Sequence, residues 1–93
     1  MQQQTATEAQ QFGPKQATQA QARYLLDLVW HSHIVIIPVY ELFSQRAPKS
    51  FFIHEVDWLR GRLTKGLASA VIAEIDKLNP DNDKLLKMLT PYL

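Results

Sequence analysis

A mostly apolar run from Tyr24 to Phe43 contains Pro38, and the conformation of this run decides the architecture of the chain. Its central stretch, HIVIIPVY, does not alternate between polar and apolar residues, and a proline cannot donate to the hydrogen-bond ladder of a central strand. At about 100° per residue, polar positions follow one narrow stripe and apolar positions keep to the opposite face on both sides of Pro38. The pattern therefore predicts a helix.

The predicted helix is long and bent. Gly13 and Pro14 are suitable as the N-cap and the first position of this helix. Pro48 ends the helix, because the residue before a proline is disfavoured in the helical conformation. We predict one helix over about residues 14–46, with a bend near residues 34–38, because an interior proline costs roughly 3 kcal/mol and bends the axis. Two alternatives are two helices that meet at the proline, or an α+β domain with a hairpin at residues 33–56.

Two further helices are predicted after Pro48. Ser50 is a candidate N-cap for a second helix over residues 51–78, whose apolar residues recur at spacings of three and four. Gly66 marks either a close helix crossing or a break. Asn79 and Pro80 can cap and open a short C-terminal helix. The predicted fold class is thus all-α, with three main helices and the second antiparallel to the first.

The predicted domain organisation is a tail followed by one small domain. Residues 1–13 are rich in Gln, Thr and Ala, a composition that buries too little apolar surface to offset the entropy of ordering. We expect a disordered Gln-rich tail over 1–13 and a single helical domain over 14–93.

The composition and the lack of known motifs argue against catalytic and metal-binding functions. The formal charge is +1 and there is no cysteine, so neither a strong global field nor a thiolate site is available. No P-loop, dinucleotide or hydrolase motif occurs, and His31 and His33 would diverge on a helix instead of sharing a metal. We predict a protein that is not an enzyme and has no cofactor or metal. Charged and polar residues within the apolar run argue against a membrane span, and the expected location is cytoplasmic.

The segment from Arg46 to Lys65 is the candidate binding region, because it combines aromatic residues with an excess of basic ones. Aromatic and basic side chains together are typical of nucleic-acid sites and of protein interfaces, while the same aromatics can also belong to the core. The predicted partner-binding residues are Phe51, Trp58, Arg62, Arg46, Lys49 and Lys65.

We predict a non-enzymatic adaptor or regulatory subunit that docks on another protein through this helical surface. A long helix that is apolar over most of its circumference has more face than one partner helix can cover, which predicts a homodimer. The alternative is a small nucleic-acid-binding regulator that uses the same residues.

Overall fold

The computed structural model describes residues 15–31 and 36–93, and these residues form five helices. The helices are α1 (Gln19–His31), α2 (Ile37–Arg46), α3 (Phe52–Arg62), α4 (Lys65–Ile75) and α5 (Asn82–Leu89). The all-α class is confirmed, whereas the count of three helices is wrong. The alternative hairpin at residues 33–56 is also wrong, because α2 and the start of α3 occupy its described part. The predicted tail and the first two residues of the predicted bend, 34 and 35, lie outside the described residues.

The first helix starts later than Gly13 and Pro14 predicted, because a capping box fixes its start at Thr18. The backbone N–H of Gln21 donates to Thr18 Oγ1 at 3.0 Å, and the N–H of Thr18 donates to Gln21 Oε1 at 3.0 Å. This reciprocal pair satisfies donors that a helix start leaves open. Lys15 instead joins a short antiparallel contact, in which its carbonyl accepts from the N–H of Lys65 at 2.7 Å.

Pro38 opens a helix instead of bending one, so the prediction of one long helix over 14–46 is wrong. Ile36 precedes α2 with φ −121° and ψ 28°, outside the helical region, and Pro38 lies in the first turn. A proline there has no intrahelical hydrogen bond to lose and its φ already suits a helix. The apolar residues before and after Pro38 share one helical phase because α1 and α2 pack on the same core.

The predicted second helix is divided into α3 and α4 at Leu63 and Thr64. Both residues are extended, with φ and ψ of −112° and 148° at Leu63 and of −82° and 161° at Thr64. Thr64 Oγ1 accepts from the N–H of Leu67 at 3.1 Å and so caps α4. The break therefore comes before Gly66. The last helix likewise begins after the predicted Asn79 and Pro80, with Asp81 as its N-cap.

The core lies where α1 packs on α3 and α4, while α2 packs on α5 and on α1. The predicted apolar positions Leu25, Val29 and Phe43 are fully buried. The chain's own helices thus cover these positions of the face that had suggested a second copy, whereas Tyr40 is 43% exposed, and the homodimer stays a prediction. Three residues assigned to the apolar face of the second helix are exposed: Phe52, Ile53 and Leu78.

Candidate interaction site

A cleft of about 710 Å³ opens between α1, α2 and the loop that leads into α3. Its aromatic lining comes from three separate parts of the chain: Trp30 near the end of α1, Tyr40 in α2, and Phe51 directly before α3. Its polar lining includes Lys49, Ser50 and Glu55. An aromatic cleft with a few polar groups is the usual form of a binding site.

The aromatic wall of the cleft is anchored to the core through edge-to-face ring contacts. The Trp30 and Tyr40 ring centroids are 5.4 Å apart with an interplanar angle of 83°. Trp30 also meets the buried Phe43 at 6.2 Å, and Phe43 meets Trp58 at 6.0 Å. Each such contact contributes roughly 0.5–1.5 kcal/mol beyond burial. The rings therefore form a continuous series from Trp58 beneath the surface to Tyr40 in the cleft.

Glu55 holds the indole of Trp30 in position. Trp30 Nε1 donates a hydrogen bond of 3.1 Å to Glu55 Oε1, which joins α1 to the first turn of α3. Both residues are only partly exposed, and an indole N–H in such a place needs an acceptor. Glu55 is the acidic side chain among the described residues of the lining, and one of its oxygens is thus already engaged within the protein.

Phe51 is the most exposed aromatic side chain of the described residues, with 78% of its surface accessible. It is the N-cap of α3, and no side chain caps that helix, which contradicts the prediction of Ser50 as the N-cap. Ser50 Oγ instead lies 2.6 Å from His54 Nδ1, and the His54 ring meets Phe51 at 6.1 Å. Phe51 thus lines the cleft with His54 beside it, and most of its ring is in solvent.

Two unpaired cations lie at this end of the molecule. Lys49 lines the cleft, and Arg46, in the last turn of α2, is exposed nearby in the chain. Ion pairs between the described residues involve only Glu74 with Lys77 and Lys84, and Asp27 with His31. Lys49 and Arg46 therefore have no carboxylate partner within the described part of the chain.

The six predicted site residues do not form one surface. Phe51 and Lys49 line the cleft, whereas Arg62 ends α3 about 15 Å away at roughly 1.5 Å per residue, and Lys65 begins α4. Trp58 is partly buried and packs against the core.

Sequence reasoning missed Trp30, Tyr40 and Glu55 as site residues. Tyr40 was assigned to an apolar face, and nothing local in the sequence indicates that Trp30 meets a carboxylate 25 residues later. The one available signal was the number of aromatic residues close to Pro38. Two helices that meet at this proline were one of the predicted alternatives.

A second cleft, of about 250 Å³, lies between Arg23, Tyr24, Asp27 and Phe52. The Tyr24 hydroxyl donates to the carboxylate of Asp76 at 3.3 Å, and this nearby negative charge raises the pKa of Tyr24. The hydrogen bond joins α1 to the end of α4. This smaller cleft is more polar in character and offers one aromatic pair instead of three rings.

Neither a metal site nor a membrane span is found in the described residues. No group of three or more side chains there is arranged to hold a metal ion, and no helix there is long and apolar enough to cross a bilayer. His31 Nε2 lies 3.4 Å from Asp27 Oδ1, the local pairing that competes with metal binding. His33 lies outside the described residues.

Comparisons with protein-family models, curated proteins and solved structures found no match to this chain. The functional interpretation therefore depends on the residues and geometry of the large cleft.

Proposed function

We propose that this protein is a non-enzymatic interaction module that docks another protein in the cleft formed by Trp30, Tyr40 and Phe51. One observation carries the proposal: Phe51 is 78% exposed at the rim of a cleft of about 710 Å³. Exposing an aromatic ring to water is unfavourable by roughly 25 cal/mol per Å² of apolar surface, and a partner that covers it recovers this free energy. Aromatic anchors are also the residues that dominate protein interfaces.

The placement of the rings supports docking over a purely structural role. Phe43 and Trp58 already supply the aromatic packing beneath the cleft, whereas Tyr40 is 43% exposed. Removal of Phe51 would therefore leave the core intact. An adaptor or regulatory role follows from a surface that binds without chemistry, and the cytoplasmic location stays a prediction from the sequence.

The test compares Phe51→Ala with Leu78→Ala. Leu78 is 92% exposed and does not line the cleft, so it controls for the loss of any exposed apolar side chain. A partner captured by the wild-type chain is purified, and its Kd is measured against both variants. We expect Phe51→Ala to weaken binding about tenfold or more and Leu78→Ala to leave the Kd unchanged. Equal effects of the two variants would refute docking in the cleft.

A second copy of the chain is the competing partner for the same rings. Self-association is now supported by exposed Phe51, Phe52 and Ile53 instead of by a long apolar helix. Size-exclusion chromatography with light scattering over a range of concentrations tests it. A dimer that Phe51→Ala converts to a monomer would make the second copy the partner.

Binding of nucleic acid is the second candidate function. The hydrogen bond from Lys65 N–H to the Lys15 carbonyl brings Lys15 to the corner of the molecule that carries exposed Arg62 and Lys65. Base stacking also requires aromatic rings, and Phe51 lies at the other end of α3. Affinity for a single-stranded oligonucleotide that falls steeply with salt, and that Arg62→Gln with Lys65→Gln abolishes, would favour this function over protein docking.

A further inference from the structure

We infer that the segment bound in the cleft is an acidic apolar peptide, with one apolar side chain that packs on the aromatic rings and a neighbouring carboxylate that meets Lys49. This inference rests on the docking function proposed above and specifies the chemistry of the partner. It follows from two properties of the lining: its exposed rings, and an exposed cation, Lys49, beside a half-buried carboxylate, Glu55.

The rings set the apolar half of the ligand. Tyr40 and Phe51 are 43% and 78% exposed, and Trp30, in the last turn of α1, is partly exposed. The Trp30 N–H already has its acceptor in Glu55, so the indole offers apolar surface to a ligand. A cleft of about 710 Å³ has room for a branched aliphatic or aromatic side chain together with the backbone of a short segment.

The charges set the acidic half. Lys49 and Glu55 are the charged residues of the lining, and Glu55 Oε1 already accepts from Trp30 at 3.1 Å. Lys49 has no ion pair within the described part of the chain, and neither has the exposed Arg46 a few residues before it. Glu55 keeps its negative charge but is half-buried against the indole, whereas Lys49 and Arg46 are exposed, so the charge that a partner meets at the rim is positive. Complementary charge at the rim selects a partner and orients it.

A cationic ligand is the opposite outcome. Three aromatic rings beside a carboxylate also suit a lysine or methylated ammonium group through cation–π attraction. Here the ammonium of Lys49 would oppose such a ligand, and Glu55 is engaged by the indole. The two outcomes differ in the sign of the preferred charge and can be separated by experiment.

The experiment uses three short peptides, acetylated and amidated at their ends, each with a central Leu. The flanking residues are Asp in the first, Asn in the second and Lys in the third. Binding to the full chain is followed by NMR through the two indole N–H signals of the protein, which has two tryptophans. Trp30 lines the cleft and Trp58 does not, so the Trp58 signal is an internal control. The variant Trp58→Phe assigns the two signals.

We expect the Asp peptide to shift the Trp30 signal more than the Trp58 signal and to bind about tenfold tighter than the Lys peptide. Exposed ion pairs are weak, so Lys49→Gln should reduce Asp-peptide affinity only about two- to fivefold. Lys49→Glu should reverse the preference between the two charged peptides. The preference should also shrink as salt is raised, because the charges are exposed.

Several results would overturn the inference. Equal binding of all three peptides, with each weakened by Phe51→Ala, would refute the acidic preference while leaving docking in the cleft intact. Tighter binding of the Lys peptide would assign the cleft to cations. No shift of the Trp30 signal with the Asp peptide would refute the inference outright, and capture of the purified partner would still test docking separately. Peptide binding that weakens as protein concentration rises would assign the cleft to a second copy.

Discussion

The buried carboxylate of Glu74 accepts a hydrogen bond of 3.0 Å from the backbone N–H of Asp81, seven residues later. Glu74 is only 3% exposed and is the one buried charged residue of the described ranges. Its other oxygen lies 2.9 Å from Lys77 Nζ and 3.3 Å from Lys84 Nζ. A single side chain thus closes the turn between α4 and α5 and positions Asp81, which caps α5.

Acid should weaken this link. The hydrogen bond from Asp81 and that from Lys77 lower the pKa of Glu74 from 4.5 to about 2, although burial opposes the shift. Because the folded pKa lies below the unfolded one, the stabilisation is complete above about pH 4.5 and is lost as the pH falls towards 2. We predict that Glu74→Gln lowers the melting temperature at pH 7 and flattens its dependence on pH between these values.

The control for this prediction is Glu55→Gln, which removes a carboxylate from a different helix, α3. Thermal unfolding of wild-type and both variants from pH 2 to 7 is the measurement. A Glu74→Gln variant whose melting temperature declines with acid as steeply as that of the wild type would contradict the assignment.

Pro38→Ala should change the free energy of unfolding by less than about 1 kcal/mol. In the first turn of α2, the proline interrupts no helical hydrogen bond, and its main contribution is to restrict the unfolded chain. A proline in a helix interior would instead cost roughly 3 kcal/mol, so its replacement would stabilise the protein strongly. Urea unfolding distinguishes the two cases, and stabilisation by 2 kcal/mol or more would contradict a helix start at Ile37.

Thr64→Ala should destabilise the protein by about 1 kcal/mol, because the N–H of Leu67 loses its side-chain acceptor. Thr64→Ser retains a hydroxyl at the same position and is the matched control. Urea unfolding should place the serine variant near the wild type. If alanine and serine destabilise equally, the hydroxyl does not cap α4.

Substitution of Phe43 should lower the stability of the protein, whereas substitution of Phe51 should leave stability nearly unchanged and weaken binding. Phe43 is fully buried between two tryptophan rings, and Phe43→Ala should cost about 3–5 kcal/mol. Phe51 is 78% exposed, and Phe51→Ala should change stability by less than about 0.5 kcal/mol. Denaturant unfolding checks both values. A large loss of stability in Phe51→Ala would make Phe51 a structural residue and remove the basis of the docking proposal.

Helical periodicity alone was enough to predict the helical class and much of the buried face. Leu25, Val39 and Leu59 were assigned to apolar faces and are fully buried, because the spacing of side chains around a helix is local geometry. The short last helix was predicted with its packing residues Leu85 and Leu89, and both are buried.

Helix boundaries were predicted less well, because several starts or stops are locally compatible. Gly13 with Pro14 and Thr18 with Gln21 are both good starts, and the pairing of Lys15 with Lys65 accompanies the later one. Similarly, the apolar phase ran through Leu63 and Thr64, and Gly66 was the position at which the sequence suggested a break. Threonine is a residue type that caps helices, but only the packed structure selects Thr64 for this role.

The candidate site was predicted in part. Phe51 and Lys49 were chosen by residue type, as an aromatic and a basic residue in the segment from Arg46 to Lys65, and both line the cleft. That they line one cleft with Trp30 and Tyr40 depends on how α1, α2 and α3 pack, because this packing brings together residues that are far apart in sequence. By itself the sequence therefore determined the helical class and the inward face of each helix, through local periodicity. Only the tertiary structure decided where the helices break and which aromatics share the cleft, because long-range packing selects among locally equivalent choices.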